Sequence, residues 1–172
     1  RKQFSFPAYR LRSAGDTIGV LVGTGFHLLR KTDGSALHEG RATAGGFSDI
    51  LERPGGGWVL SDRSGHLHLF NAEGKGIRRL NSGNLRRLLG WFDREHLLYH
   101  AENGALKCIR MVKQDVQREL EDKKWSWTSR LTDGRILAQS VDGEIWEGIP
   151  HPFGWDILDR LETIGMEPLA AT

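Results

Sequence analysis

The stretch Trp58-Val59-Leu60-Ser61-Asp62-Arg63-Ser64-Gly65-His66-Leu67-His68-Leu69-Phe70 decides the fold. A short apolar run, Trp58-Val59-Leu60, meets a polar turn that ends on Gly65. A second run, Leu67-His68-Leu69-Phe70, follows at once. That order reads as strand, tight turn, strand. The same arrangement recurs along the chain, with Gly25, Gly65, Gly104 and Gly143 in equivalent places at intervals of 40, 39 and 39 residues. Apolar runs precede the other three glycines (Val20-Leu21-Val22, Leu97-Leu98-Tyr99 and Ile136-Leu137-Ala138), and a second run follows each of them.

Further turn signals flank these hairpins. Nine residues before each marker glycine stand Asp16, Gly56, Glu95 and Gly134, all within Gly- or Asp-containing clusters. Nine residues after the first two markers come Asp33-Gly34 and Glu73-Gly74. Each unit of about 40 residues therefore reads as four strands, A to D, over residues 7–46, 47–84, 85–124 and 125–153. In the second unit the strands are expected at 47–53, 58–61, 66–70 and 77–80. Strand A of the others is expected at 8–12, 85–92 and 125–131. The alternation in Trp125-Ser126-Trp127-Thr128 suits a half-buried strand.

A period near 40 residues with such units is the signature of propeller blades, and the chain resembles the β-propeller superfamily over nearly its whole length. Arg30-Lys31-Thr32-Asp33-Gly34-Ser35 and Asn71-Ala72-Glu73-Gly74-Lys75 are similar to the strand-linking turn of pyrroloquinoline-quinone-type repeats. The Trp that usually follows that turn is absent, and the Trp-Asp pair of the WD class does not occur within the four ranges given above. The resemblance implies a single all-β domain of four blade-like antiparallel units, a small or incomplete propeller. It brings neither a cofactor nor catalytic residues to this chain.

Two segments depart from the repeat. Residues 113–124 are polar and charged, and Val116 and Leu120, four apart, suit either a short helix or a solvated loop. At the C-terminus, Asp156 is placed to cap a short helix over about 156–164, with Trp155, Leu158, Leu161 and Ile164 at every third position and Gly165 as its stop. The fourth unit then lacks a D strand. Gln3-Phe4-Ser5-Phe6 alternates and is expected to supply it and close the ring.

Composition narrows the function classes. At 172 residues the length suits one domain, with 38% apolar and 27% charged residues. A net charge of +2 is too small to argue by itself for nucleic acid or an anionic membrane. One cysteine, Cys108, excludes an internal disulfide and leaves cytoplasm and periplasm equally open. No apolar run approaches the ~18 residues of a membrane span, and no signal peptide is read, so a soluble protein without membrane insertion is expected.

Few residues suggest chemistry. His66 and His68 share one strand face, the spacing of two zinc ligands, with Asp62 across the turn, but no further motif supports a metal. Cys108, mid-strand, reads as a small buried hydrophobe rather than a nucleophile. Asp133 and Asp142 fall in successive turns at opposite ends of one strand. That places them about 20 Å apart, too far for a glycosidase pair. Gly23-Thr24-Gly25 and Gly55-Gly56-Gly57 lack the Gly-Lys-Ser/Thr ending of a phosphate loop. Arg78, Arg79, Arg86 and Arg87 form the densest basic run, which reads as solvated surface, as a grip for an acidic protein partner or as a phosphate contact, and it is short of the aromatic platform of a single-strand reader.

The expected function is a non-enzymatic protein-binding module without cofactor. The expected partner surface is the end that gathers the B–C turns and D–A linkers: Asp62, Arg63, Arg78, Arg79, Arg86, Arg87, His100, Glu102 and Asp142. A sharper form is a dedicated inhibitor, such as a bacterial immunity protein that blocks a toxin enzyme. The rivals are a propeller hydrolase with acids gathered from several blades, and a nucleic-acid binder acting through Arg78 to Arg87.

Overall fold

The computed structural model describes residues 7–41, 45–83, 85–111, 117–119, 123–151 and 154–161. They form four antiparallel sheets, each a meander of four successive strands. The first sheet is β1 (Ala8–Ala14), β2 (Thr17–Val22), β3 (Gly25–Arg30) and β4 (Ala36–Arg41). The second is β5 (Phe47–Glu52), β6 (Trp58–Asp62), β7 (His66–Phe70) and β8 (Gly76–Asn81). The third is β9 (Leu85–Trp91), β10 (His96–Ala101), β11 (Leu106–Arg110) and β12 (Gln117–Glu119). The fourth is β13 (Trp125–Arg130), β14 (Ile136–Ser140), β15 (Ile145–His151) and β16 (Gly154–Leu161). Four antiparallel four-stranded units are thus present, and the fourth runs on to Leu161, beyond the 153 expected for it.

The turns owe their shape to short polar side chains that hydrogen-bond their own backbone. The Asp62 carboxylate accepts the Ser64 N–H at 2.8 Å, Asn71 accepts the Lys75 N–H at 2.8 Å, and Asp93 accepts the Glu95 N–H at 2.7 Å. Gly57, between β5 and β6, has φ +93°, and a Cβ there would lie 2.3 Å from the Phe70 carbonyl oxygen, so only glycine fits. In the first sheet the left-handed residue of the β2–β3 turn is Gly23 (φ 57°), and Gly25 begins β3.

Apolar side chains fill the spaces between successive sheets. Leu21, Phe26, Leu28, Phe47, Ile50, Trp58 and Leu60 pack between the first and second. Val59, Leu67, Leu88, Leu97 and Tyr99 are part of the core between the second and third. Leu98, Cys108, Trp125, Ile136 and Ala138 belong to the core between the third and fourth. Among the described residues no such core joins the fourth sheet to the first. The first strands β1, β5, β9 and β13 contact one another in succession and are therefore the inner strands.

Two expectations are corrected. The segment over 156–161 is not helical: Gly154–Leu161 is a strand paired with β15, from His151↔Gly154 to Ile145↔Leu161. Pairing gives the outer edge of β15 its hydrogen-bond partners, which a helix would leave unmet. β16 is thus the D strand of the fourth sheet, so Gln3–Phe6 is not needed for that place. Residues 3–6 and 162–165 lie outside the described residues. In the segment 113–124, Gln117–Glu119 is a strand paired with β11, as Lys107↔Glu119 and Ile109↔Gln117, rather than a helix; Val116 and Leu120 lie outside the described residues. No helix among the described residues is long and apolar enough to cross a membrane.

Candidate binding cavity at the inner strands

Each inner strand carries a β-bulge near its start. The register slips between Ala8 and Arg10, Phe47 and Asp49, Leu85 and Arg87, and Trp125 and Trp127. A bulge bends the strand and re-aims its side chains. Here it does so at one place in all four units. The residues just after the slip are Arg10, Asp49, Arg87 and Trp127, and the extra residues are Tyr9, Ser48, Arg86 and Ser126.

The bulges of β1, β9 and β13 border a cavity of about 220 Å³ lined by Arg10, Arg86, Arg87, His100, Ser126, Trp127 and Thr128. It lies where the inner strands begin and β10 ends, as the pairing His100↔Arg87 shows. That is the end of the linkers and B–C turns. Arg10 and Arg86 are exposed and Trp127 is 44% exposed, so the cavity reaches solvent.

The arginines differ in their partners. Arg10 Nε lies 3.4 Å from the buried Asp49 carboxylate. That carboxylate also accepts the N–H of Ile50 and of Leu88, each at 2.9 Å. Asp49 on β5 therefore ties β1 to β9. Arg86 donates to the Ser126 carbonyl (3.3 Å) and Arg87 to the Thr128 carbonyl (3.2 Å). Among the described residues neither has a carboxylate partner. Thr128 is wholly buried, and its Oγ1 has no hydrogen-bond partner.

His100 is 2% exposed, and its Nε2 sits 3.0 Å from the Trp125 carbonyl. Burial, with repulsion from Arg86 and Arg87, lowers its pKa below the ordinary value of 6.5, against the upward pull of the bonds to the Trp125 and Gly104 backbone. The neutral ring donates to Trp125 and pins β10 to β13. Because the folded state holds the proton less tightly than the unfolded chain, stability is fully present above 6.5 and falls as pH drops below it toward the folded pKa. His100→Gln should remove that share of the acid sensitivity. Denaturant unfolding at pH 7.5 and pH 5.5 checks this: the loss on acidification should be smaller in the variant, and an equal loss would contradict the assignment.

The other sequence candidates separate. Arg78 and Arg79 lie on β8, an outer strand, whereas Arg86 and Arg87 lie on the inner strand β9, so the basic run divides between two edges of the fold. Arg63, Glu102 and Asp142 are exposed in the B–C turns of the second, third and fourth sheets. Asp62 is 1% exposed and takes His68 Nε2 at 2.7 Å, His66 Nδ1 at 3.4 Å and Arg79 Nη2 at 3.9 Å. Burial pushes its carboxyl up, but the bonds from His68 and from the His66 and Ser64 N–H groups outweigh that and hold it below the usual carboxylate value. His66 and His68 thus close around Asp62. Among the described residues no three His, Cys, Asp or Glu side chains are grouped to hold a metal ion. Cys108 is buried, and burial, then Asp93, pushes its thiol up to about 11, so it is protonated at neutral pH. Asp133 and Asp142 flank β14 at its two ends. Asp133 instead pairs with Arg135 at 2.6 Å. The residues sequence reasoning missed are Arg10, Ser126, Trp127, Thr128 and Asp49. Aligning the first strands of the four units was the signal that could have found them.

No protein family and no curated protein matches the sequence. Solved structures do match the fold. The computationally designed Ika4 protein is similar at 11% identity, covering 85% of this chain and 92% of that one, with a TM-score of 0.66. The WD40 β-propeller domain of Doa1 is similar at 15% identity (86% of this chain, 52% of that chain, TM-score 0.67). The C-terminal WD40 domain of Sif2 is similar at 16% identity (94% and 48%, TM-score 0.65). The chain therefore has a β-propeller blade architecture, and it spans about half the length of these two WD40 chains.

Proposed function

We propose that the chain is a non-enzymatic protein-binding module that docks a partner on the end where the inner strands begin. The observation that carries this reading is the cavity there, which brings Arg10, Arg86 and Arg87 together beside the exposed Trp127. Arg and Trp are the residues that most often anchor interfaces, and a rigid sheet scaffold presents them at low entropic cost. The excess of positive charge favours an acidic segment on the partner. Among the described residues no carboxylate lines the cavity.

A dedicated inhibitor, such as an immunity protein for a toxin enzyme, is the narrower form of this reading. Affinity capture from source cells with mass identification tests it. One tight enzymatic partner supports the inhibitor; a set of unrelated partners supports a general docking platform; no partner at all contradicts both.

A further inference from the structure

We propose that the cavity bounded by Arg86, Arg87 and Thr128 is a binding site for a phosphate group, either free or carried on a side chain of the docked partner. The inference rests on the reading of this end as the docking face, and it adds the chemistry of what enters the cavity.

Three observations converge. The first is charge. Arg10 is balanced by Asp49, whereas Arg86 and Arg87 bond only to backbone carbonyls and have no carboxylate partner among the described residues. The lining thus keeps about two uncompensated positive charges, which matches a phosphate monoester, at roughly −1.5 to −2 near pH 7, better than a single carboxylate. The second is donor geometry. A guanidinium carries five N–H groups, and each of these two uses one on a carbonyl, which leaves the rest of the planar fork for phosphate oxygens. The third is independent of the arginines. Thr128 is among the lining residues, and its hydroxyl is wholly buried with no hydrogen-bond partner. A buried O–H is normally paired, and a ligand oxygen would supply the missing acceptor. Ser126 is not available in the same way, because its hydroxyl bonds to the carbonyls of Gln139 and Ser140. His100 is occupied by the Trp125 carbonyl.

The test is calorimetric titration at constant ionic strength with three probes: inorganic phosphate, N-acetyl-phosphoserine amide and N-acetyl-glutamate amide. Saturable binding of both phosphate probes supports a phosphorylated side chain as the source; binding of inorganic phosphate with the phosphoserine derivative excluded supports the free anion. In either case the glutamate derivative should bind about tenfold more weakly or worse. Arg86→Gln with Arg87→Gln should weaken phosphate at least about tenfold. Both side chains reach solvent, so this variant should keep the wild-type unfolding midpoint. Thr128→Val, of the same shape, should weaken phosphate about three- to tenfold with its midpoint unchanged or raised. Undiminished binding by the double glutamine variant, equal binding of the glutamate probe, or phosphate binding no better than chloride overturns the proposal. Phosphate titration reads the cavity alone, whereas partner capture reads the whole face, so the two readings fail separately.

Discussion

Asp49→Ala is expected to lower folding stability by about 3 kcal/mol. The carboxylate is 1% exposed and holds three groups from three sheets. It accepts the Ile50 N–H on its own strand and the Leu88 N–H on β9, and it pairs with Arg10 on β1. Alanine leaves the Leu88 N–H without an acceptor beside a buried side chain, and a buried donor without a partner costs about 1–3 kcal/mol. The Arg10 share is smaller, because its side chain is 42% exposed and water screens the pair. Asp49→Asn keeps one oxygen acceptor and should lose roughly half as much. Denaturant unfolding of both variants measures this. Equal, near-zero losses would show that the three sheets do not depend on this tie.

Trp58→Ala should cost about 3–5 kcal/mol. The indole is 1% exposed and fills the space between the first and second sheets, with its ring 6.4 Å from that of Phe26 and edge-on to it. Gly19 on β2 makes room for it: a Cβ there would lie 2.8 Å from the indole and 2.6 Å from Ile50 Cδ1. Removal of the indole therefore leaves a cavity that the rigid strands cannot close. The thermal midpoint should fall by ~10 °C or more for a chain of this length. Gly19→Ala makes the reciprocal check, since overpacking the same contact should cost about 1–3 kcal/mol. If both substitutions are neutral, this interface does not hold the first two sheets together.

Much of the architecture was legible because glycine and apolar runs repeat at one spacing. The turns around Asp62, Asn71, Asp93 and Asp133 each bond their own backbone, so their place in the sequence is their place in the fold. β16 was not legible. Trp155, Leu158 and Leu161 fit a three-residue period, but the open edge of β15 decides the conformation, and a neighbouring strand leaves no local mark. The arginine run misled for a related reason. Arg79 and Arg86 are close in sequence, yet the chain passes from the outer strand of one sheet to the inner strand of the next between them. The cavity was half visible: Arg86, Arg87 and His100 stood out as polar residues at a strand end. Arg10 and Thr128 did not, because their role depends on bulges that bring the starts of different units together.

The most direct test of the docking face is the dissociation constant of the captured partner for three proteins: wild type, Arg86→Glu with Arg87→Glu, and a control with Glu73→Lys and Asp133→Lys at the opposite ends of the sheets. We expect the double glutamate variant to bind at least about 100-fold more weakly and the control to match wild type. Wild-type affinity in the glutamate variant, with affinity lost in the control, would contradict the assignment of the binding end.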